Sequence, residues 1–140
     1  MPKALKSIFL VHAVVSVVFG VWLYLAPGSF ATLVNWTPFD AQMTRLFGAL
    51  LLALAFSSWL AYQAATYESV RIIVQMEIAL TALATVGGLY SALITISPLS
   101  IWAAIAIFAA FAIAWISGYN LAEKTMKTEK DTSVRIEEKL

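Results

Sequence analysis

Residues 8–28 read IFLVHAVVSVVFGVWLYLAPG. No Asp, Glu, Lys or Arg interrupts the run from Ile8 to Leu25, and Ala26-Pro27-Gly28 closes it with a strong helix breaker. As a helix at about 1.5 Å per residue, such a run reaches nearly across the ~30 Å hydrocarbon core of a bilayer. Trp22 and Tyr24 stand at its end as interface anchors. Lys3 and Lys6 precede it, as they would a signal peptide, but the apolar run is longer than a signal core. The reading is an uncleaved first transmembrane helix.

Three further runs follow. Thr37-Pro38-Phe39-Asp40 predicts the start of a second span, with Thr37 as N-cap, Pro38 at the first helical position and Asp40 at the third. That span is expected over about residues 38–65, a third over about 70–93 and a fourth over about 101–121. Ser97-Pro98 breaks the chain between the last two. Residues 28–36, with Phe30, Leu33, Val34 and Trp36, suit a short segment lying in the membrane interface. The fold expected is all-α: a four-helix transmembrane bundle, up-down-up-down, over residues 1–122, followed by a charged cytoplasmic tail over 123–140.

Composition agrees. The 140 residues are 61% apolar and 12% charged, with a net charge of +1, and the mean hydropathy is +0.85. Eight acids and nine bases are too few to clothe a soluble domain of this size. Soluble enzymes and nucleic-acid binders are therefore excluded as readings. The chain has no cysteine and one histidine, His12, which removes disulfides, thiol catalysis, iron–sulfur clusters and bis-histidine haem. Phosphate-cradling glycine loops, H-E-x-x-H and serine elbows are absent too. No metal and no cofactor is implied.

The bases give the spans a direction. Lys3, Lys6, Arg71, Lys124, Lys127, Lys130, Arg135 and Lys139 fall on one side of a four-span arrangement and Arg45 alone toward the other. The positive-inside rule then puts both termini in the cytoplasm. The aromatic residues mostly gather at the two interfaces; Trp59 and Trp115, about two turns inside, are candidates to line an inner cavity. The tail carries equal numbers of acids and bases and reads as an extension of the fourth helix, with Val134, Ile136 and Leu140 a candidate docking strip.

Helices in lipid associate where small residues let their backbones approach. Residues four apart share a helix face, and each span carries such a ladder: His12, Ser16 and Gly20; Ala49, Ala53, Ser57 and Ala61; Thr81, Ala84, Thr85 and Gly88; Ala106, Ala110, Ala114 and Gly118.

The polar residues inside the spans need a reason, because an isolated charge at that depth costs several kcal/mol. Glu77 lies about two turns into the third span, and Thr81, Thr85 and Gly88 continue its face as a polar and small stripe. His12 lies at matching depth, on the order of 10 Å inside. The two could share an interhelical hydrogen bond that fixes helix rotation, or hold or relay a proton. Arg45, near the outer end of the second span, is expected to snorkel to headgroups rather than meet Glu77. Gln63, Gln75 and Asn120 gather at the inner end as a candidate vestibule.

The stretch Tyr24-Leu25-Ala26-Pro27-Gly28-Ser29-Phe30, then Trp36-Thr37-Pro38-Phe39-Asp40, then Arg45-Leu46-Phe47-Gly48-Ala49-Leu50-Leu51 resembles uncharacterised prokaryotic four-helix, DoxX-like, membrane proteins. The resemblance covers about 30 residues in the first half. It implies four spans and a prokaryotic plasma (inner) membrane, and assigns no site residue.

The function expected first is that of an accessory or scaffolding subunit acting through helix–helix packing, with the lipid bilayer and other membrane subunits or a second copy as partners and no nucleic acid. The alternative is an oligomeric proton-coupled transporter or channel using Glu77. A further alternative is a membrane enzyme or redox module that binds quinone, pigment or lipid beside His12, Trp59 and Trp115.

Overall fold

A computed structural model describes residues 1–94 and 97–137. Among them the chain is helical throughout. Helix α1 is Lys3–Leu25, α2 is the short helix Pro27–Val34, α3 is Ala41–Gln63, α4 is Arg71–Ile94 and α5 is Leu99–Glu137; a single 3-10 turn, Glu68–Val70, leads into α4. Four of these helices are long and apolar enough to cross a membrane, and α2 is not one of them.

Local chemistry sets the boundaries. Pro27 opens α2 at a first-turn position, where a missing N–H costs nothing. Asn35 closes it in the left-handed region at φ 53°, and the Trp36 N–H reaches back to the Ala31 carbonyl at 2.9 Å. The start of α3 differs from the sequence expectation. Asp40, not Thr37, is its N-cap, and its carboxylate accepts from the backbone N–H of Gln42 at 2.8 Å and of Met43 at 3.0 Å. A short acceptor immediately before the apolar run satisfies two orphan donors and faces the positive end of the helix dipole, so the helix begins at Ala41 rather than Pro38. Helix α5 runs without a break through the segment read as a tail, as far as Glu137. Leu140 and the side chains of Val134 and Ile136 lie outside the described residues.

Helix α1 packs chiefly on α3 and α4 chiefly on α5, and α1 also touches α5. Glycines set the closest approaches. A Cβ at Gly48 would stand 2.7 Å from the Tyr24 backbone N and 3.0 Å from the Gly20 carbonyl oxygen, so the end of α1 rests directly on the start of α3. Gly118 lies against Leu5 and Ile8, and Gly88 against Ile105. Ser100 Oγ donates to the Val34 carbonyl at 2.6 Å and ties α5 to α2.

Two packing faces agree with the predicted ladders only at their inner ends. In α3 the buried residues are Thr44, Gly48, Leu54, Ala55, Ser58 and the predicted Ala61, whereas Ala49 and Ala53 are exposed. In α5 they include Ile105, Ala112, Trp115, Ala122 and the predicted Gly118, whereas Ala106 and Ala110 are exposed. The cause is one of contact chemistry: Gly48 admits the α1 backbone and Ser58 meets His12, and neither is reachable from the 49/53/57 face. The α1 ladder of His12, Ser16 and Gly20 is buried as a unit.

The core lies at the end of the bundle that carries Met1. There Leu5, Phe9, Tyr67, Val70, Val74, Trp115 and Ala122 pack together, and the amino terminus approaches the Ala65 carbonyl at 3.5 Å.

Candidate functional site

Helix α1 brings His12 inward on its small-residue face, 6% exposed, between α3 and α4. Its Nδ1 lies 2.8 Å from Ser58 Oγ on α3, and its Nε2 lies 3.7 Å from Glu77 Oε2 on α4. Ser16, one turn on in α1, stands 3.4 Å from the same Nε2. Helix α5 closes the ring with aromatic edges: Phe111 and Trp115 meet the imidazole at centroid distances of 4.9 and 5.5 Å. Four helices thus converge on one histidine.

Glu77 is the unusual member. It is fully buried, and neither carboxylate oxygen has a hydrogen-bond partner among the described residues. The 3.7 Å separation from His12 is too long for a charge-assisted hydrogen bond, which forms at about 2.7–2.9 Å. Trp115 Nε1, also fully buried, is likewise unpartnered. Buried polar atoms are nearly always satisfied, so the two Glu77 oxygens and Trp115 Nε1 are exceptions among the described residues.

The stripe predicted beyond Glu77 divides into two roles. Thr81 is buried and its hydroxyl donates to the Glu77 carbonyl at 2.7 Å; Thr85 does the same to Thr81 at 2.7 Å. Both hydroxyl protons are therefore taken by the helix backbone. Gly88 serves packing: a Cβ there would meet Ile105 Cγ1 at 2.8 Å.

On the side toward α2 the cluster opens into a cavity of about 270 Å³. Phe19, Phe30, Trp36, Phe47, Phe108 and Phe111 form much of its wall, and His12, Ser16, Thr81 and Ser100 bring its imidazole and hydroxyl groups. Toward the termini the cluster is shut. Phe9 and Val74, one turn before His12 and Glu77 respectively, are fully buried, and Phe9 packs edge-on against Trp115 at 4.8 Å. His12 thus faces an apolar pocket on one side, and the plug of Phe9 and Val74 lies on the other.

Beyond the plug lies a second polar group. Glu123 on α5 accepts from Tyr67 Oη at 3.0 Å and pairs with Arg71 through both oxygens, at 2.7 and 3.1 Å. Burial and the hydrogen bond to Glu123 push the Tyr67 phenol up. Arg71 is about half exposed, so solvent screens this pair and it adds little to stability. Gln75 reaches Tyr119 Oη at 3.4 Å, while Gln63, Gln75 and Asn120 all occupy exposed positions rather than one enclosed cluster. Arg45 is exposed on α3. Trp59 is 47% exposed and stacks on Tyr62 at 5.8 Å, in contrast to the buried Trp115. Among the described residues no three His, Cys, Asp or Glu side chains gather as a metal site.

The sequence places His12 and Glu77 at matching depth, and Ser58 was missed as their neighbour. Its signal was available: Ser58 lies fourteen positions, almost four helical turns, after the buried Thr44, but only the position of Thr44 on the inner face would have revealed it. Compared with models of known families, with curated proteins and with solved structures, the chain matches none, so the DoxX-like resemblance of residues 24–51 stands as an expectation.

Proposed function

We propose that the protein binds a small, largely apolar molecule within its transmembrane bundle and couples that binding to a proton held by the His12–Glu77 pair, as a proton-coupled carrier. The observation that carries the reading is the fully buried, unsatisfied Glu77 carboxyl, 3.7 Å from His12, whose imidazole also walls the pocket. A bare carboxylate in that setting costs several kcal/mol, a penalty that a purely structural residue would not need. A protonated carboxyl avoids that penalty, so the residue is suited to take up or give up a proton as the site's occupant changes. The basic residues support an orientation with both termini cytoplasmic and an up-down-up-down course, in a prokaryotic plasma membrane. The pocket then lies toward the outer half and the plug toward the cytoplasm.

The test is native mass spectrometry of protein released from its membrane in mild detergent. Wild-type protein is expected to carry a bound small molecule, and Ala104→Phe, which fills the pocket from α5, to carry none. An empty wild-type protein, or the same molecule in Ala104→Phe, would overturn the reading.

A second reading is an accessory subunit that packs against partner helices. The open face of α4 favours it: a Cβ built at Gly87 meets nothing within 4 Å. Co-purification of a stoichiometric partner that is lost on Gly87→Leu is the outcome it requires.

A further inference from the structure

The polar groups around the pocket are unequal in kind. The Thr81 hydroxyl proton is committed to the Glu77 carbonyl and that of Ser100 to the Val34 carbonyl, so both present only lone pairs to the cavity. Glu77 does not line the cavity itself: its carboxyl lies 3.7 Å beyond the His12 imidazole that does, with two oxygens that have no hydrogen-bond partner among the described residues. The pocket wall contains no Lys or Arg. Aromatic rings, among them Phe19, Phe47, Phe108 and Trp36, line it, and an aromatic ring face attracts a cation. Acceptors, aromatic rings and an uncompensated carboxyl all complement the same kind of guest.

We infer that the pocket takes a lipophilic cation, an amine or ammonium on a compact apolar body, which exchanges with the proton on Glu77. This rests on the pocket-and-proton reading above and names the class of solute. The exchange balances in charge: the cation enters, the carboxyl releases its proton to the aqueous phase, and the site stays neutral in both states. The volume, about 270 Å³, lies just below the ~300–1,000 Å³ of drug-sized sites, which limits the guest to a single ring or a short branched chain. The groups that face the exchanging carboxyl are few. From α1 it meets His12; α3 contributes Ser58 and α5 Phe111 and Trp115, each through the imidazole. On its own helix, Arg71 is held by Glu123. His12 is therefore the one titratable neighbour among the described residues, and its protonation would weaken cation binding in the same direction as protonation of Glu77.

Benzyltrimethylammonium and its neutral isostere neopentylbenzene separate the two layers of the argument. Equilibrium dialysis of each, radiolabelled, against the full chain in lipid nanodiscs measures binding, with Ala104→Phe nanodiscs subtracting partition into lipid. The expected result is saturable binding of the cation that exceeds the isostere, weakens about tenfold or more in Glu77→Gln, and weakens as pH is lowered because proton and cation compete. If the isostere binds as well as the cation and Glu77→Gln changes neither, the pocket stands and the cation inference falls. If neither compound binds wild type above Ala104→Phe, the pocket reading falls with it. Should Glu77→Gln fail to fold, the wild-type pH series decides alone: cation binding that does not vary with pH overturns the inference.

Discussion

On the proposed reading, Glu77 costs stability for the sake of the proton it holds. Glu77 is fully buried and its carboxyl makes no hydrogen bond among the described residues. Replacing it with an apolar residue of similar volume removes the penalty, so Glu77→Met is expected to melt at the same temperature as wild type or higher, by up to about 2 kcal/mol. A lower melting point would show that the carboxyl holds helices together and would favour the scaffolding reading. Ser58 is the reverse case. It is fully buried and serves His12 Nδ1 at 2.8 Å, so Ser58→Ala leaves the imidazole unpaired and should destabilise by about 1–3 kcal/mol in thermal unfolding. The matching depth of His12 and Glu77 was legible in the sequence because depth in a membrane is countable from the helix ends; their 3.7 Å approach was not, because it depends on how the helices are rotated. Ser58 was not, because Ser57 and Ser58 differ by about 100° around the helix and nothing in their identity says which faces inward.

At the scale of helices, the spans were readable and their faces were not. A bilayer demands long uncharged runs, and hydropathy finds them; it does not distinguish lipid from a neighbouring helix, since both are apolar. Hence Ala49, Ala53 and Ser57 looked as good a seam as Gly48, Ala55 and Ser58. The glycines distinguish them. A methyl at Gly48 would press on the backbone at Tyr24 and Gly20, which cannot give way as a flexible side chain can. Gly48→Ala is expected to destabilise the α1–α3 pair by about 1–3 kcal/mol. Gly87→Ala, in open space, should fall within about 1 kcal/mol of wild type and serves as its control. Equal melting of the two variants would contradict the packing described. The start of α3 teaches a related lesson: Thr37 and Asp40 are both good caps, and the one adjacent to the apolar run won.

The whole molecule is longer than a membrane is thick. Helix α5 spans Leu99–Glu137, about 58 Å at about 1.5 Å per residue, against a hydrocarbon core of about 30 Å. Past Met126, which still touches the core, its described side chains are mostly exposed. Removing residues 128–140 is therefore expected to leave the melting of the bundle within about 0.5 kcal/mol of wild type, checked by thermal unfolding in detergent. The natural absence of cysteine makes the orientation testable without further change. Ser7→Cys and Thr132→Cys should react with a membrane-impermeant maleimide only in inverted vesicles, and Leu33→Cys only in right-side-out ones. Labelling of Ser7→Cys and Leu33→Cys from the same side would refute the assigned course.

The central claim is that Glu77 exchanges a proton inside the folded bundle. Infrared difference spectroscopy of the protein in lipid, recorded as pH is varied, observes that event at the carboxyl itself. A protonated carboxylic C=O band that disappears with rising pH in wild type, and is missing at every pH in Glu77→Gln, is the predicted result. A wild-type spectrum with no pH-dependent carboxyl band, or one that Glu77→Gln leaves intact, would contradict it.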